Sequence, residues 1–477
     1  MASLLAACCG YAFFWQGIKD FSSSKRFYIS FVWMALIQII QMSWLLSDGY
    51  VGASIWALLA FLAIWVGFQW GILSIFIDRS PWIVAGFWAV TEWSRMFIYC
   101  GYAFNPVGLS LTATNYGSQI LSLVGVYGLS FLVIVTNLLF YHRRAMALTL
   151  ALIPYLLGGV IYHIHQHKMK NAQVIEILLV QPVIEPKQVN NVLWEKFCAL
   201  LAPYFGEHLD LIVFPESILP FIAHEEVFYT SWVDQMFAHF FQGKTSGLTK
   251  FKVSNVDIAY ALSQLFNADF VIGLEDDNHN AAFCFSQGEK THYHKQVLLP
   301  FGEYIPLGFN LISKHLPPCG TFEKGKQTRL LGKALGISIC YEEMFGNLMR
   351  KNRLLGAKIM VNISNDIWYP LSRLPMVHYM HGRLRAIEMG LPLVRACNSG
   401  VTCGVDATGK MIATLPHEQR KKKAVEGTLK LSLPLYRYPT LYTYVGDYLV
   451  LGIAFLLPIT ALRPLRFKRM RSKFRRV

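Results

Sequence analysis

Six stretches, near residues 27–47, 54–77, 81–99, 118–140, 145–163 and 443–462, carry few or no charges and are long enough to cross a lipid bilayer. Spanning about 30 Å of hydrocarbon takes about 20 apolar residues in a helix. Inside lipid each backbone N–H and C=O must be paired within the protein, so such stretches fold as helices or not at all. A seventh stretch, residues 1–18, is apolar but shorter, and carries aromatics and glycine. Composition agrees: 54% hydrophobic residues over 477 positions, with mean hydropathy +0.37, is too apolar for an ordinary soluble protein. The N-terminus shows no basic leader and no small-residue cleavage site, so the first span is expected to stay in the protein.

The net charge of +15 could suggest a nucleic-acid partner, but its distribution argues otherwise. Lys19, Lys25 and Arg26 lie in one loop, Arg79 in the next alternate one, and Arg143 and Arg144 in the next. Eight Lys or Arg fall between Arg463 and Arg476. If the spans alternate, all four segments lie on one side of the membrane, and the positive-inside rule makes that side the cytoplasm. Residues 164–442 then face outward. The basic tail reads as a determinant of this topology, and Arg420–Lys423 as a solvated hairpin loop.

The chain divides into a helical membrane bundle over 1–165, an outward globular segment over 166–440, a returning helix over 441–462 and a basic tail over 463–477. In the outward segment, short apolar runs alternate with longer helical stretches. Val174–Val180, Leu211–Phe214, Phe270–Gly273, Ala334–Ile339 and Lys358–Ile363 read as buried strands. Helical patterns near 190–206, 225–241, 343–355 and 377–390 separate them. The alternation predicts a layered α/β domain with helix-covered sheets. In such domains chemistry gathers where strands end, and Glu216, Cys340 and Asn365 occupy such points.

Nine cysteines show no CxxC spacing of a metal site, and most read as small core residues. Cys340 differs in its company. Together with the carboxylate of Glu216 in Val-Phe-Pro-Glu-Ser and the amine of Lys295 in Tyr-His-Lys-Gln, it forms a set suited to thiol-based acyl chemistry. Pro215-Glu216, Lys295 and Cys340-Tyr341-Glu342 resemble the Glu-Lys-Cys triad of the nitrilase, or carbon–nitrogen hydrolase, superfamily. The flanking motifs are more particular. Leu299–Pro306, Ile363–Trp368, His381–Glu388 and Asn398–Thr402, joined to a multi-span bundle, are similar to those of bacterial apolipoprotein N-acyltransferases, from about residue 20 to the last span.

The resemblance implies an αββα sandwich on a polytopic inner-membrane bundle, with the site facing the periplasm. It implies a ping-pong transfer of an acyl chain from a phospholipid, phosphatidylethanolamine by family analogy, onto Cys340. The chain then passes to the α-amine of a diacylglyceryl apolipoprotein. Glu216 would serve as general base, while Lys295 and the Tyr341 backbone N–H would hold the oxyanion. Glu303 matches a second glutamate of the family site and would orient Lys295 or handle a proton; Glu342 would buttress. Trp194, Trp368 and Tyr369 are candidates for gripping acyl chains or headgroups, with plain core packing as the alternative. Tyr369 stands where the family favours Phe, and Gln181-Pro-Val where it favours Gln-Gly-Asn. The apolar loop 307–316 is expected to form a lid dipping into the bilayer. No metal or organic cofactor is implied, since the sequence shows no ligand cluster and no phosphate-cradling glycine loop.

Family members carry eight spans with both ends in the cytoplasm. The seven counted here would place Met1 outside, so a further span upstream of Met1 is expected. Two rival readings are a membrane-tethered amidase acting on a soluble substrate, and a transporter with a non-catalytic outer domain. A large bundle is unneeded by the first, and nearly charge-free span centres disfavour the second; Glu92 and Arg95 are the nearest exceptions.

Overall fold

A computed structural model describes residues 9–46, 54–98, 101–185, 193–305, 321–369, 372–418 and 423–457. The chain separates into two compact units. One comprises Met1–Ser43, Trp56–Ile164 and Thr440–Val477; the other comprises Trp44–Ile55 and His165–Pro439.

The first unit is helical. Among the described residues three helices are long and apolar enough to cross a membrane: Ile55–Ile75, Leu121–Phe140 and Arg144–Met169. Ser23–Gln41, Pro81–Ser94 and the short apolar helix Tyr448–Leu457 accompany them. Close packing uses small residues, as membrane helices do. A Cβ on Gly67 would lie 2.8 Å from the Phe31 carbonyl oxygen, and one on Gly86 would lie 3.0 Å from Ala454 Cα. Along Arg144–Met169, Leu148, Leu152, Leu156 and Val160 form an exposed stripe at every fourth position. In water such a stripe would be costly; in lipid it is the expected outer face.

The second unit holds two sheets. The six-stranded sheet uses β1 (Val174–Gln181), β2 (Leu211–Val213), β3 (Asp269–Asp276), β4 (His279–Ser286) and β5 (Glu289–His294), with a late strand, Gly427–Pro434, pairing antiparallel to β1. β1, β2 and β3 run parallel; β3, β4 and β5 form antiparallel hairpins. The five-stranded sheet contains β6 (Leu335–Ile339), β7 (Ile359–Ser364) and β8 (Leu393–Cys397), mutually parallel, then β9 (Cys403–Val405) and β10 (Met411–Thr414), antiparallel.

Side chains alternate along each strand, and this alternation builds three layers of core. Ile177, Leu179, Val213, Val271, Ala282 and Tyr293 of the first sheet meet Ile337, Ile339, Val361, Ile363 and Val394 of the second. The opposite residues of the first sheet, such as Leu178, Ile212, Phe270, Ile272 and Phe283, pack beneath helices Leu193–Leu201, Thr230–Phe240 and Asn255–Phe266. Helices Gly346–Leu354 and Leu374–Met389 cover the second sheet. Because both faces of inner strands such as β2, β3 and β7 are buried, these read as near-continuous apolar runs. The result is an αββα sandwich.

Candidate functional site

Glu216 emerges where β2 ends. The ladder continues one step past the strand, with Gly273 N–H donating to the Pro215 carbonyl at 3.1 Å. A Cβ on Gly273 would sit 2.6 Å from that oxygen and 2.7 Å from Glu216 Cα. Gly273 therefore lets the turn carrying Glu216 lie directly on β3.

Lys295 follows β5, and the antiparallel register sets it beside Asn280 of β4, to whose carbonyl its N–H donates at 2.9 Å. Their side chains share the face turned toward the second sheet. Lys295 Nζ lies 3.0 Å from Glu216 Oε1 and 2.8 Å from Glu303 Oε1. Asn280 Nδ2 donates to the same two oxygens, at 2.7 and 2.8 Å. The second oxygen of Glu303 accepts from the Leu299 N–H at 2.7 Å, closing the turn after Lys295. One buried cation thus bridges two buried carboxylates, and an amide locks them in place. Breaking such a network strands a charge, which typically costs about 3–5 kcal/mol.

Cys340 directly follows β6 with φ of 51°, the left-handed region that a non-glycine residue adopts only under constraint. The strain, of order 1–3 kcal/mol, turns the chain from the strand into the 3-10 turn Cys340–Met344. Glu342 holds that turn: it accepts from Tyr293 Oη at 2.9 Å, from the N–H groups of Gln296 and Val297 at 2.6 and 3.1 Å, and from Ile339 N–H at 2.8 Å. Glu342 therefore ties the thiol's turn to the loop that carries Lys295. Asn362 Nδ2 donates to the Cys340 carbonyl at 3.3 Å.

Burial raises the Glu216 carboxyl above its ordinary range, opposed by Lys295 and reinforced by Glu303. Burial also holds the Cys340 thiol well above its ordinary range, with Glu216 adding to the effect and Lys295 opposing it. For Lys295, burial pulls downward, but Glu216, Glu303 and Cys340 outweigh it and keep the ammonium protonated. The Cys340 thiol thus lies in electrostatic range of a lysine bridged between two glutamates.

Of the remaining residues named from the sequence, Tyr341 is buried in the turn and Trp368 is 46% exposed. Tyr369 meets Trp44 edge-on at 5.1 Å. Trp194 lies elsewhere: it is 1% exposed in the helix-side core, donating to Asn255 Oδ1 at 2.9 Å, which is a packing position. The expected lid, 307–316, and Arg420–Lys422 lie outside the described residues. Asn280, Asp366 and His378 were not singled out from sequence. A polar residue at an inward position of the apolar run 279–286 was the available sign of Asn280. Asp366 Oδ1 pairs with His378 Nδ1 at 2.7 Å.

Among the described residues two clusters bring possible metal-ligand atoms within 4.8 Å of one another, Cys340–Asp366–His378 and Asp276–His292–His294. In the first, the thiol belongs to the site just described.

Two facing sheets with a strained strand-end thiol and a bridged lysine define a protein of the carbon–nitrogen hydrolase class, and residues 179–432 match the carbon–nitrogen hydrolase family model. Residues 2–139 match the apolipoprotein N-acyltransferase N-terminal domain. The chain is 36% identical to the apolipoprotein N-acyltransferase of Chlamydia pneumoniae, covering 95% of this chain and 91% of that one, and 29% identical to that of Haemophilus influenzae, covering 82% and 75%. It belongs to the apolipoprotein N-acyltransferase family. A crystal structure of a carbon–nitrogen hydrolase from Helicobacter pylori G27 aligns with TM-score 0.37 at 17% identity, covering 62% of this chain and 98% of that one.

Proposed function

We propose that this chain transfers a fatty acyl group from a membrane phospholipid, through a thioester on Cys340, to the α-amine of the N-terminal diacylglyceryl-cysteine of lipoproteins. The observation that carries this reading is the buried Glu216–Lys295–Glu303 bridge beside a strand-end thiol, in a chain that also bears apolar membrane helices. The lipoprotein substrate and the lipid donor follow from the family; phosphatidylethanolamine is the proposed donor.

In the first half-reaction Glu216 takes the Cys340 proton as the sulfur attacks the ester carbonyl. The new C–S bond forms and the carbonyl electrons move to oxygen. Lys295 Nζ and the Tyr341 N–H stabilise that oxyanion, a contribution of about 3 kcal/mol or more in a dry site. Collapse breaks the ester C–O bond, and Glu216 returns its proton to the departing alkoxide of the lysophospholipid. In the second half the lipoprotein amine attacks the thioester and gives up a proton to Glu216, with Glu303 holding Lys295. An amide forms and the Cys340 thiol is regenerated. Burial of Glu216 suits a group that must both take and return a proton near neutral pH.

Trp368 and Tyr369 are proposed to contact the acyl chain or headgroup. The bundle, proposed to cover 1–165 and 441–462, holds the domain 166–440 at the membrane. The basic loops support an inner-membrane orientation with the site outward. The test is transfer of a labelled acyl chain from phosphatidylethanolamine to a synthetic diacylated lipopeptide by the purified full chain. Hydrolysis of the lipid without transfer to the lipopeptide amine would favour the tethered amidase instead.

A further inference from the structure

On the face of the first sheet opposite Lys295, the hairpins of β3, β4 and β5 bring three histidines to one carboxylate, and the segment after β2 adds the more exposed His224. His292 and His294 alternate along β5 and so point the same way. Asp276 ends β3, paired with His279 at the start of β4. His294 Nε2 lies 2.7 Å from Asp276 Oδ2, and His224 Nε2 lies 3.8 Å from Asp276 Oδ1. The His279 ring stacks on that of His294 at 4.1 Å, and the His292 ring lies 4.8 Å from it. The ligand atoms of Asp276, His292 and His294 all fall within 4.8 Å of one another. These side chains are partly buried, 13% exposed for Asp276 and 26% for His294, so the cluster is a recess and not a scatter of surface groups.

We propose that Asp276, His292 and His294 form a divalent-metal site, suited to Zn2+, that braces the strand presenting Lys295. Two imidazoles and one carboxylate with a fourth position open make a known zinc donor set, and imidazole favours zinc, copper or nickel over calcium or magnesium. The single carboxylate, with the Arg329 guanidinium in electrostatic range of His292, also disfavours hard cations that need several oxygens. His224, 3.8 Å from the other oxygen of the carboxylate, supplies a further imidazole; His279 stacks on the ring of His294. The placement matters because His294 and Lys295 are consecutive and point to opposite faces. The same holds for His279 and Asn280. An ion bridging β3 and β5 would therefore restrain the two residues that position Glu216 and Glu303.

The test uses the detergent-purified full chain, stripped with chelator and titrated with Zn2+ by calorimetry, and with Co2+ by visible absorption. The expected result is one metal per chain, cobalt bands of a nitrogen- and oxygen-bound four-coordinate ion, and release of protons on binding. His292→Gln removes a donor without touching the His294–Asp276 pair, so the fold should survive, and should weaken zinc at least tenfold; Asp276→Asn should do the same. Zinc should also slow amide exchange across residues 291–296 in the parent chain and not in His292→Gln. Failure of Zn2+ to bind, or binding undiminished in both variants, overturns the site. Zinc bound through these residues with exchange at 291–296 unchanged overturns the bracing.

Discussion

Asn280→Ala isolates one link of the proposed chemistry. Asn280 Nδ2 gives hydrogen bonds of 2.7 and 2.8 Å to Glu216 and Glu303, both buried. A hydrogen bond to an ionised group is worth about 1.5–3 kcal/mol. If the bond to Glu216 stabilises the charged base that accepts the thiol proton, losing it slows acylation by roughly 10- to 150-fold at neutral pH. The direction with pH follows from the same bond. Burial raises the Glu216 carboxyl, and the Asn280 bond opposes that rise. Without it Glu216 holds its proton to higher pH, so the acidic limb of the acylation profile moves upward. Rapid-quench measurement of thioester formation from labelled phospholipid, over a pH series, reads both effects. Asn280→Asp, which sets a third carboxylate in the cluster, should move the limb the same way without leaving a cavity. Wild-type acylation with an unmoved acidic limb in Asn280→Ala would refute the reasoning.

Further outcomes follow from the same geometry. Gly273→Ala should displace Glu216, because its Cβ would lie 2.6–2.7 Å from the Pro215–Ser217 backbone; overpacking costs about 1–3 kcal/mol, and acylation should fall far more than thermal stability. Trp368→Ala should leave stability within about 0.5 kcal/mol but raise the KM for phospholipid. Trp194→Ala should destabilise by about 3–5 kcal/mol and leave that KM unchanged in the folded fraction, read by melting curves beside donor titrations. Burial pushes the carboxyls of Glu342 and Glu343 up to about 7. Between their ordinary value of 4.5 and about 7 the folded chain binds more protons than the unfolded one. These groups therefore subtract stability as pH rises through that window and nothing further above it. Glu342→Gln should flatten that part of the stability–pH curve.

The sandwich was legible in the sequence where its strands are buried on both faces. Leu211–Phe214 is wholly apolar, Val174–Val180 is interrupted only by Glu176, and Lys358–Ile363 only by Lys358 and Asn362; each is a strand in the structure, with ends shifted by a residue. β4 and β5 were not legible. His279–Ser286 mixes small and polar residues, and Glu289–His294 is polar because it is the edge strand with one half-solvated face. Missing that hairpin meant missing Asn280, whose role depends on standing opposite Lys295 in the register. Glu216, Lys295 and Cys340 could be named from local motifs, but their convergence is a property of the fold, since 79 residues separate Glu216 from Lys295. The histidine cluster was hidden for a related reason. Only His292 and His294 stand close in sequence; Asp276 joins them through cross-strand pairing, which leaves no linear spacing to read. Trp194 shows the converse: an aromatic near a motif is often only core.

The account turns on whether Cys340 carries the acyl chain. Mass spectrometry of the full chain, incubated with phosphatidylethanolamine and no acceptor, measures this directly. One added acyl group is predicted, mapped to the Cys340 peptide, released by hydroxylamine or by a diacylated lipopeptide, and absent in Cys340→Ala. An acyl adduct that persists in Cys340→Ala, or lipopeptide acylation by that variant, would contradict it.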